Sequence, residues 1–487
     1  MRGRSETIDT GHFRQVPIRV EPAPPSPPQG KWARRVERFA TRHRSKLAWI
    51  HVTMFVAFMA LMIVPLFLPL PADGTTFYDN FTLFANFVIW GLWFPLVFVS
   101  VLFTGRSWCG VLCPLGASSE WANRVGLQRP VPRWVRWRGT PVVSFVVITV
   151  LAQTVDARGF ALGIAIVFGL TFACAIALGF LYGRGRNKRA WCRHMCPIGL
   201  MLGVFSRIGA VQFAPKRPRA GGERYAEKGV CPTMIDINRK AESRHCIECF
   251  RCVHPSARGG LKLVLRRPGT EVASIRRHNP DSAEIWFLFL ATGLSLGGFL
   301  WTILPWYGRI RQALGTWAID HGWYWVGTAG PWWLMSVHPA GREVFTWLDF
   351  FMITGFMLGC AAALSAALAA LTALASQLAG RLGADRDLRG RLVELAYAYM
   401  PVAMISLVIG LGGKLFGALG LAGLPQVAIV GLQAGLFGLS ILWSLALGRR
   451  LLGVQGLTGA RRWTALAPVA AAVGLIALVW WPAIFGL

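Results

Sequence analysis

Four cysteines near the middle of the chain have a spacing that suits iron–sulfur chemistry. Three form a C-x-x-C-x-x-C run, and a Cys-Pro pair lies upstream; the four are Cys231, Cys246, Cys249 and Cys252. In bacterial ferredoxins, three cysteines of such a run are completed by a distant Cys-Pro that belongs to the other run. We therefore predict that these four thiols hold one [4Fe–4S] cluster. Structural zinc is the alternative, although zinc sites usually pair two short C-x₂₋₄-C knuckles.

A second set of cysteines belongs to an internal repeat. Residues 107–126 align without gaps to residues 190–209, and both copies contain Trp-Cys-x₃-Cys-Pro-x-Gly. The cysteine pairs are Cys109 with Cys113 and Cys192 with Cys196. An i, i+4 spacing places both sulfurs of a pair on one face of a helical turn, and the proline that follows can begin a new helix.

Each copy follows an apolar segment, so the repeated unit is a two-helix hairpin. Two such hairpins around a pseudo-twofold axis could bring the four thiols together. We expect a second redox or metal site, either a metal centre or a pair of switchable dithiols. The structural alternative is that these cysteines only pack the hairpin.

The composition indicates that a membrane surrounds these sites. The chain is 54% hydrophobic, has 22 Trp and is only 15% charged, and several of its apolar stretches approach the roughly 20 residues that cross a bilayer. We predict an all-α polytopic membrane protein of about nine transmembrane helices, with a ferredoxin-like segment in a loop. The predicted spans are approximately 47–70, 81–103, 140–155, 160–182, 285–306, 350–375, 396–411, 427–447 and 464–487.

Lysine and arginine predict the orientation, because cytoplasmic loops retain the positive excess. In the nine-span topology the basic segments all fall on one side, which places the N-terminus and the iron–sulfur segment in the cytoplasm. The same rule accounts for the net charge of +29, so we do not expect nucleic-acid binding. We expect a multi-pass protein of a bacterial inner membrane, in contact with lipid.

Four regions follow from this topology. We predict a basic, disordered cytoplasmic tail over residues 1–46, without the short apolar core of a signal peptide. Residues 47–210 form a membrane redox module, residues 211–283 a cytoplasmic ferredoxin-like segment, and residues 284–487 a five-helix membrane region. The two cysteines outside the motifs, Cys174 and Cys360, are interpreted as helix-packing residues.

The extracytoplasmic side offers weaker candidates. A Trp-rich loop over residues 307–349 contains His321 and His338, which we consider as a periplasmic redox or partner site. Lys414 ends the seventh span among glycines. Its expected behaviour is to extend towards the membrane surface, and a quinone head group or a proton path is the alternative.

At the cysteine motifs the chain resembles the NapH/NosR-type polyferredoxin membrane proteins, which combine two membrane C-x₃-C-P hairpins with a cytoplasmic ferredoxin-like segment. The resemblance covers roughly residues 81–255 and implies electron transfer. The length and the additional spans after Phe350 are similar to the polyferredoxin component of a bacterial ferrous-iron uptake system. That resemblance implies a periplasmic redox or metal-binding protein and an iron permease as partners.

The favoured function is therefore an electron-transfer subunit rather than a stand-alone enzyme. It would link a cytoplasmic or quinone pool to an extracytoplasmic metalloprotein, in the context of ferrous-iron uptake. The alternatives are a quinol-oxidising or maturation subunit of a periplasmic reductase, and a [4Fe–4S] sensor or assembly factor without turnover.

Overall fold

The apolar segments fold as helices that pack side by side in the computed structural model, which describes residues 27–216, 230–254 and 259–486. Helices satisfy their own backbone hydrogen bonds, as a segment that crosses lipid must. Within the described ranges, eight helices are long and apolar enough to cross a membrane: Arg44–Phe67, Phe81–Thr104, Ala161–Leu181, Ser282–Ile303, Trp347–Arg381, Leu388–Leu411, Gln426–Val454 and Gly459–Phe485.

The first half of the chain builds the repeat. Its helices are α1 (Lys31–Arg42), α2 (Leu47–Ile63), α3 (Phe81–Asn86), α4 (Phe94–Thr104), α5 (Pro114–Val125), α6 (Arg133–Arg136), α7 (Thr140–Thr154), α8 (Ala161–Leu181), α9 (Ala190–His194) and α10 (Pro197–Phe205). A π-helical stretch, Phe87–Trp93, joins α3 to α4.

The predicted third span is an apolar helix, α7, of 15 residues. At 1.5 Å per residue it is about 22 Å long, shorter than a hydrocarbon core of about 30 Å. Arg138 before α7 bonds Asp281, and Gln153 near its end accepts a hydrogen bond of 3.0 Å from Trp301. Helix α7 therefore runs from one side of the helix layer towards the other.

The two hairpins exchange partners. Leu127, after α5, donates its N–H to the Phe180 carbonyl at the end of α8, at 2.7 Å. Ala210, after α10, donates to the Leu102 carbonyl in α4, also at 2.7 Å. The helix that follows each cysteine pair thus packs against the span that precedes the other pair.

A small lobe follows the second hairpin. Strand β1 (Val211–Pro215) pairs antiparallel with β2 (Leu261–Leu265), with Phe213 opposite Leu263, and α11 (Thr270–Ala273) follows. Helix α1 packs on this lobe. Ala33 and Glu37, one helical turn apart, are buried there, and the Leu263 N–H donates to the Glu37 carboxylate at 3.3 Å.

Helix α1 corrects the prediction of a disordered tail for residues 31–42, because its buried face has a partner in the lobe. Arg44 continues the contact by donating to the carbonyls of Phe250 and Val253, at 2.7 Å each. The remainder of the predicted tail, residues 1–26, lies outside the described residues.

The second half consists of α12 (Ser282–Ile303), α13 (Pro305–Asp320), β3 (Val337–His338), β4 (Glu343–Val344), α14 (Trp347–Arg381), α15 (Leu388–Ala396), α16 (Met400–Leu411), α17 (Gly413–Leu421), α18 (Gln426–Val454) and α19 (Gly459–Phe485). Helices α12 and α14 pack closely because α12 has glycines at the crossing. A β-carbon on Gly293 would lie 2.7 Å from the Cys360 carbonyl oxygen. The 16-residue helix α13 occupies the segment that we predicted as a loop.

A buried charge network joins the two halves. The Arg207 guanidinium, fully buried after α10, pairs with Glu284 at the start of α12 at 2.8 Å and with Glu271 of α11 at 3.1 Å. Tyr397 donates a hydrogen bond of 2.6 Å to Glu284. Buried ions need such partners, because removing one leaves the other charge uncompensated.

Candidate functional site

The four lobe cysteines surround one cavity in the structure. Cys231, Cys246, Cys249 and Cys252 line it together with apolar side chains such as Phe213 and Ile237. The first three are buried and Cys252 is half-buried. We call this set the lobe cage. It contains a thiol donor set and an apolar wall, the surroundings that the predicted cluster requires.

The backbone between the lobe cysteines has an unusual conformation. Glu248 and Phe250, on either side of Cys249, adopt positive φ angles of 52° and 59°. Alternation of right- and left-handed residues turns successive N–H groups into a concave nest, a form found at many iron–sulfur sites. Positive φ is costly for side chains of this size and persists where the surroundings impose it. Both residues that flank Cys249 thus have the left-handed backbone conformation that such nests use.

The four hairpin cysteines also surround one cavity. Cys109 lies in a π-helical turn, Trp108–Leu112, and Cys113 caps α5. Cys192 lies in α9, and Cys196 caps α10, where its sulfur accepts the Gly199 N–H at 3.2 Å. All four line the same cavity. We call this set the hairpin cage; the pseudo-twofold packing of the repeat brings the two pairs together.

The two cages are neighbours, and a glycine forms the contact. A β-carbon on Gly110 would overlap the carbonyl oxygen of Ile247 and would lie 2.8 Å from both the backbone N and the Cα of Cys249. The turn of the first hairpin therefore touches the loop of the lobe cage directly. In the second copy the equivalent residue is Arg193, a difference within the repeat that the sequence alone gave no reason to notice.

An ion-pair node lies between the cages. The fully buried Arg189 donates to Glu120 at 2.9 Å and to the Cys109 carbonyl at 2.7 Å. Arg251 of the lobe loop bonds the same carboxylate. Burial alone would raise the pKa of Glu120, but these two arginines lower it to about 2. Glu120 thus stays ionised and joins the first hairpin, the second hairpin and the lobe.

Burial disfavours the free thiolate form of the cage cysteines. Burial raises the pKa of Cys113 to about 11, and the pKa of Cys196 and of Cys246 to about 12. A metal would supply the charge that deprotonates them. Among the described residues, no group of three or more His, Cys, Asp or Glu is close enough for a single metal ion.

The predicted extracytoplasmic residues lie apart from these cages. His321 is exposed, stacks on Trp317 with 4.3 Å between ring centroids, and bonds the Trp317 carbonyl at 2.8 Å. His338 stacks on Phe160 at 3.9 Å. Neither belongs to a potential metal-ligand group among the described residues. The role of the two histidines stays a prediction.

Lys414 contacts the start of the first hairpin span and the loop before α8, and its extension towards the membrane surface stays a prediction. Its ammonium group bonds the Asn86 side chain and the Arg158 carbonyl, the latter at 3.1 Å. Desolvation lowers the pKa of Lys414 to about 8. The lysine thus joins α17 to the start of the first hairpin span.

Comparison with known proteins places the repeat in a family. Residues 86–136 and 165–217 match the family model described as a 4Fe-4S binding domain. Ferredoxin-type protein NapH of Escherichia coli is 25% identical over 179 residues, which are 32% of this chain and 62% of that protein. Over this region the chain is similar to the NapH-type, polyferredoxin-like membrane proteins. No solved structure matches the chain.

Two further relatives agree with the NapH-type assignment. Protein NirI of Paracoccus denitrificans is 28% identical over 202 residues, 38% of this chain and 28% of NirI. An uncharacterised protein of Methanocaldococcus jannaschii is 25% identical over 173 residues, 34% of this chain and 68% of that protein. The chain is therefore a multi-pass membrane protein with an iron–sulfur domain of the ferredoxin type. The likeness is confined to about a third of the chain.

Proposed function

We propose that this protein transfers electrons through two adjacent iron–sulfur centres, one in the lobe cage and one in the hairpin cage. The observation that supports this most is the contact at Gly110, which places two four-cysteine cavities side by side. Each set supplies four thiols and buried walls. Bound there, a [4Fe–4S] cluster supplies a one-electron carrier whose potential depends on hydrogen bonds and burial.

The family match supports a cluster in the hairpin cage. Each of the two matched segments contains one hairpin cysteine pair, and neither contains the lobe cysteines. A family described as 4Fe-4S binding thus coincides with the second set of cysteines rather than with the C-x-x-C-x-x-C run. This favours a metal centre over a pair of switchable dithiols.

The residues around each cage have separable tasks. The cysteines hold the metal, and the apolar walls exclude water from it. Lys240, buried beside the lobe cage, donates 2.6 Å to the Phe213 carbonyl and offsets thiolate charge. Glu120 fixes the distance between the cages, because it pairs both with Arg189 of the second hairpin and with Arg251 of the lobe loop.

The orientation and the partners belong to the proposal. By the excess of positive charge in cytoplasmic loops, the side with the two cages faces the cytoplasm of a bacterial inner membrane. The opposite side presents the Trp-rich region around α13 to an extracytoplasmic metalloprotein. Ferrous-iron uptake, with a periplasmic metal-binding protein and an iron permease, stays a prediction from resemblance alone.

A second candidate function, quinol oxidation, is favoured by the shape of the hairpin cavity. The cavity has a volume of about 210 Å³ and extends from the four cysteines to Gln153 and Arg158. Its walls are mainly apolar, and aromatic side chains such as Trp90, Phe94 and Phe168 are among them. An apolar cavity with a few polar groups at one end suits an amphipathic ring compound such as a quinone.

The test is the metal content of the whole protein, purified anaerobically in detergent. We expect about eight irons and eight acid-labile sulfides per chain, the sum of two [4Fe–4S] clusters. Ser replacement of Cys246, Cys249 and Cys252 should leave about four irons, and so should Ser replacement of the four hairpin cysteines. The matched control replaces Cys174 and Cys360, which lie outside both cages, and should leave the iron content unchanged.

Each alternative has its own outcome. About four irons, all lost with the lobe variant, would contradict the hairpin centre. Zinc without sulfide would overturn electron transfer altogether. The remaining functions are separated by adding a water-soluble quinone to the dithionite-reduced protein. Rapid reoxidation supports the quinone-linked relay. If neither a quinone nor a metal acceptor reoxidises the protein, a sensor or assembly factor is supported.

A further inference from the structure

Two arginines extend the repeat beyond the cysteine motif. Arg106 and Arg189 each stand three residues before the first cysteine of a copy, so that both copies read Arg-x-Trp-Cys. Both side chains are buried, with 3% and 0% of their surface exposed. Arginine is almost never fully buried without partners. A buried arginine at both equivalent positions therefore requires partners at the hairpin cage.

Each arginine lies against the other copy. A β-carbon on Gly116 of the first copy would lie 2.8 Å from Arg189 Nη1 and 3.4 Å from the sulfur of Cys192. A β-carbon on the equivalent Gly199 would lie 3.3 Å from Arg106 Nη2. The glycine of each Cys-Pro-x-Gly motif therefore makes room for the guanidinium of the opposite hairpin. Both guanidinium groups lie beside the thiols of the cage.

Some nitrogens of each guanidinium group are held by hydrogen bonds to other segments of the protein. Arg189 bonds Glu120 and the Cys109 carbonyl. The position equivalent to Glu120 in the second copy is Gly203, and there the Arg244 carbonyl enters and accepts from Arg106 Nη1. The two arginines are thus fixed by different acceptors at equivalent places.

Three other nitrogens of the two guanidinium groups take no part in these hydrogen bonds. Arg189 Nη2 and both Nε and Nη2 of Arg106 are buried and have no acceptor among the described residues. A buried donor without a partner costs about 1–3 kcal/mol, and more where it is charged. Neutral thiols are weak acceptors and would leave these three nitrogens unsatisfied, although Arg189 keeps its ion pair with Glu120. Thiolates and sulfides bound to iron would provide both acceptors and negative charge.

We infer that Arg106 and Arg189 are positioning residues that donate hydrogen bonds to the sulfur atoms of a cluster in the hairpin cage and so raise its reduction potential. This rests on the proposed function, because it requires metal in that cage. Reduction adds negative charge, which a fixed guanidinium stabilises. Hydrogen bonds to the sulfurs and charge beside the cluster are recognised determinants of its potential.

The test is a redox titration of the whole protein, followed by EPR, for the Arg106→Gln and Arg189→Gln variants. For one of two clusters, we expect each variant to lower the reduction equilibrium constant at least tenfold, equivalent to 59 mV for a one-electron couple. The other cluster should shift less. The matched control is Arg124→Gln, because Arg124 also bonds Glu120 but is half exposed.

The outcomes separate the inference from the proposed function. A wild-type protein with about four irons, insensitive to the hairpin Cys→Ser change, would refute the hairpin centre, and the inference would fall with it. About eight irons with both potentials unchanged in both variants would overturn the inference alone. If a Gln variant does not fold, Arg106→Lys is the second variant, because it keeps the charge but loses the planar fork of the guanidinium group. We expect it to lower the reduction potential by less than Arg106→Gln would. An unchanged potential would contradict the inference.

Discussion

Replacement of Gly110 by Ala should separate the two cages without removing a ligand. The new methyl carbon would lie 2.8 Å from the Cys249 Cα, whereas ordinary contacts begin at 3.4 Å, so the loops must part by at least 0.6 Å. Backbone cannot rotate away as a long side chain can, and overpacking of this kind costs about 1–3 kcal/mol. We expect a lower unfolding temperature, full iron content, and a weaker magnetic interaction between the two reduced clusters in EPR.

The control is Gly169→Ala in α8, where a β-carbon would meet no atom within 4 Å. Alanine favours a helix interior over glycine by about 1 kcal/mol, so this variant should be equally or more stable, with an unchanged EPR spectrum. The reasoning about adjacency is refuted if Gly110→Ala matches the control in both stability and spin interaction. Loss of iron from one cage would instead indicate that the contact supports ligand geometry.

Three further predictions concern buried charges. Arg207→Met should destabilise the protein by about 3–5 kcal/mol in thermal unfolding, because it leaves the carboxylates of Glu271 and Glu284 buried without it. Burial would raise the pKa of Glu271, but its partners Arg266 and Arg207 lower that pKa from 4.5 to about 2. The stabilisation from ionised Glu271 is complete above pH 4.5 and is lost as the pH falls towards 2, so Glu271→Gln should weaken the acid dependence of unfolding. Lys414→Met should cost about 1–3 kcal/mol, because the Asn86 side chain loses its partner.

Controls for these variants come from the same chain. Arg124 is the repeat equivalent of Arg207 but is half exposed, so Arg124→Met should change stability by less than about 1 kcal/mol. An unchanged melting curve for Arg207→Met would contradict the charge network. For Lys414, an unchanged curve would favour extension towards the membrane surface.

The sequence predicted what depends on local spacing. The hydrophobic stretches predicted the helices. The repeat predicted that Cys109 and Cys113 would come together with Cys192 and Cys196, and all four line one cavity. These features could be predicted from the sequence because the residues of a Cys-x₃-Cys-Pro turn lie within a few positions of one another. The arginines before each copy could also be found in the sequence, because they continue the same repeat by one residue.

Contacts between distant segments could not be predicted in the same way. Gly110 becomes informative only once Cys249 is known to face it. Helix α1 was hidden by a basic composition, since its buried face has only Ala33 and Glu37 at its centre. In α13 an exposed apolar stripe recurs at helical spacing in a region read as a loop because of its tryptophans; its residues are Trp306, Ile310, Leu314 and Trp317.

The exchange between hairpins has a consequence for the assembly of the hairpin cage. One copy of the repeat carries two of the four thiols, the arginine that reaches the opposite copy and the glycine that receives its counterpart. A single hairpin therefore could not have closed this cage within one chain. Both copies must be docked before the four thiols face one cavity, and the copies differ where only the first touches the lobe, with glycine at position 110 in one and arginine at position 193 in the other.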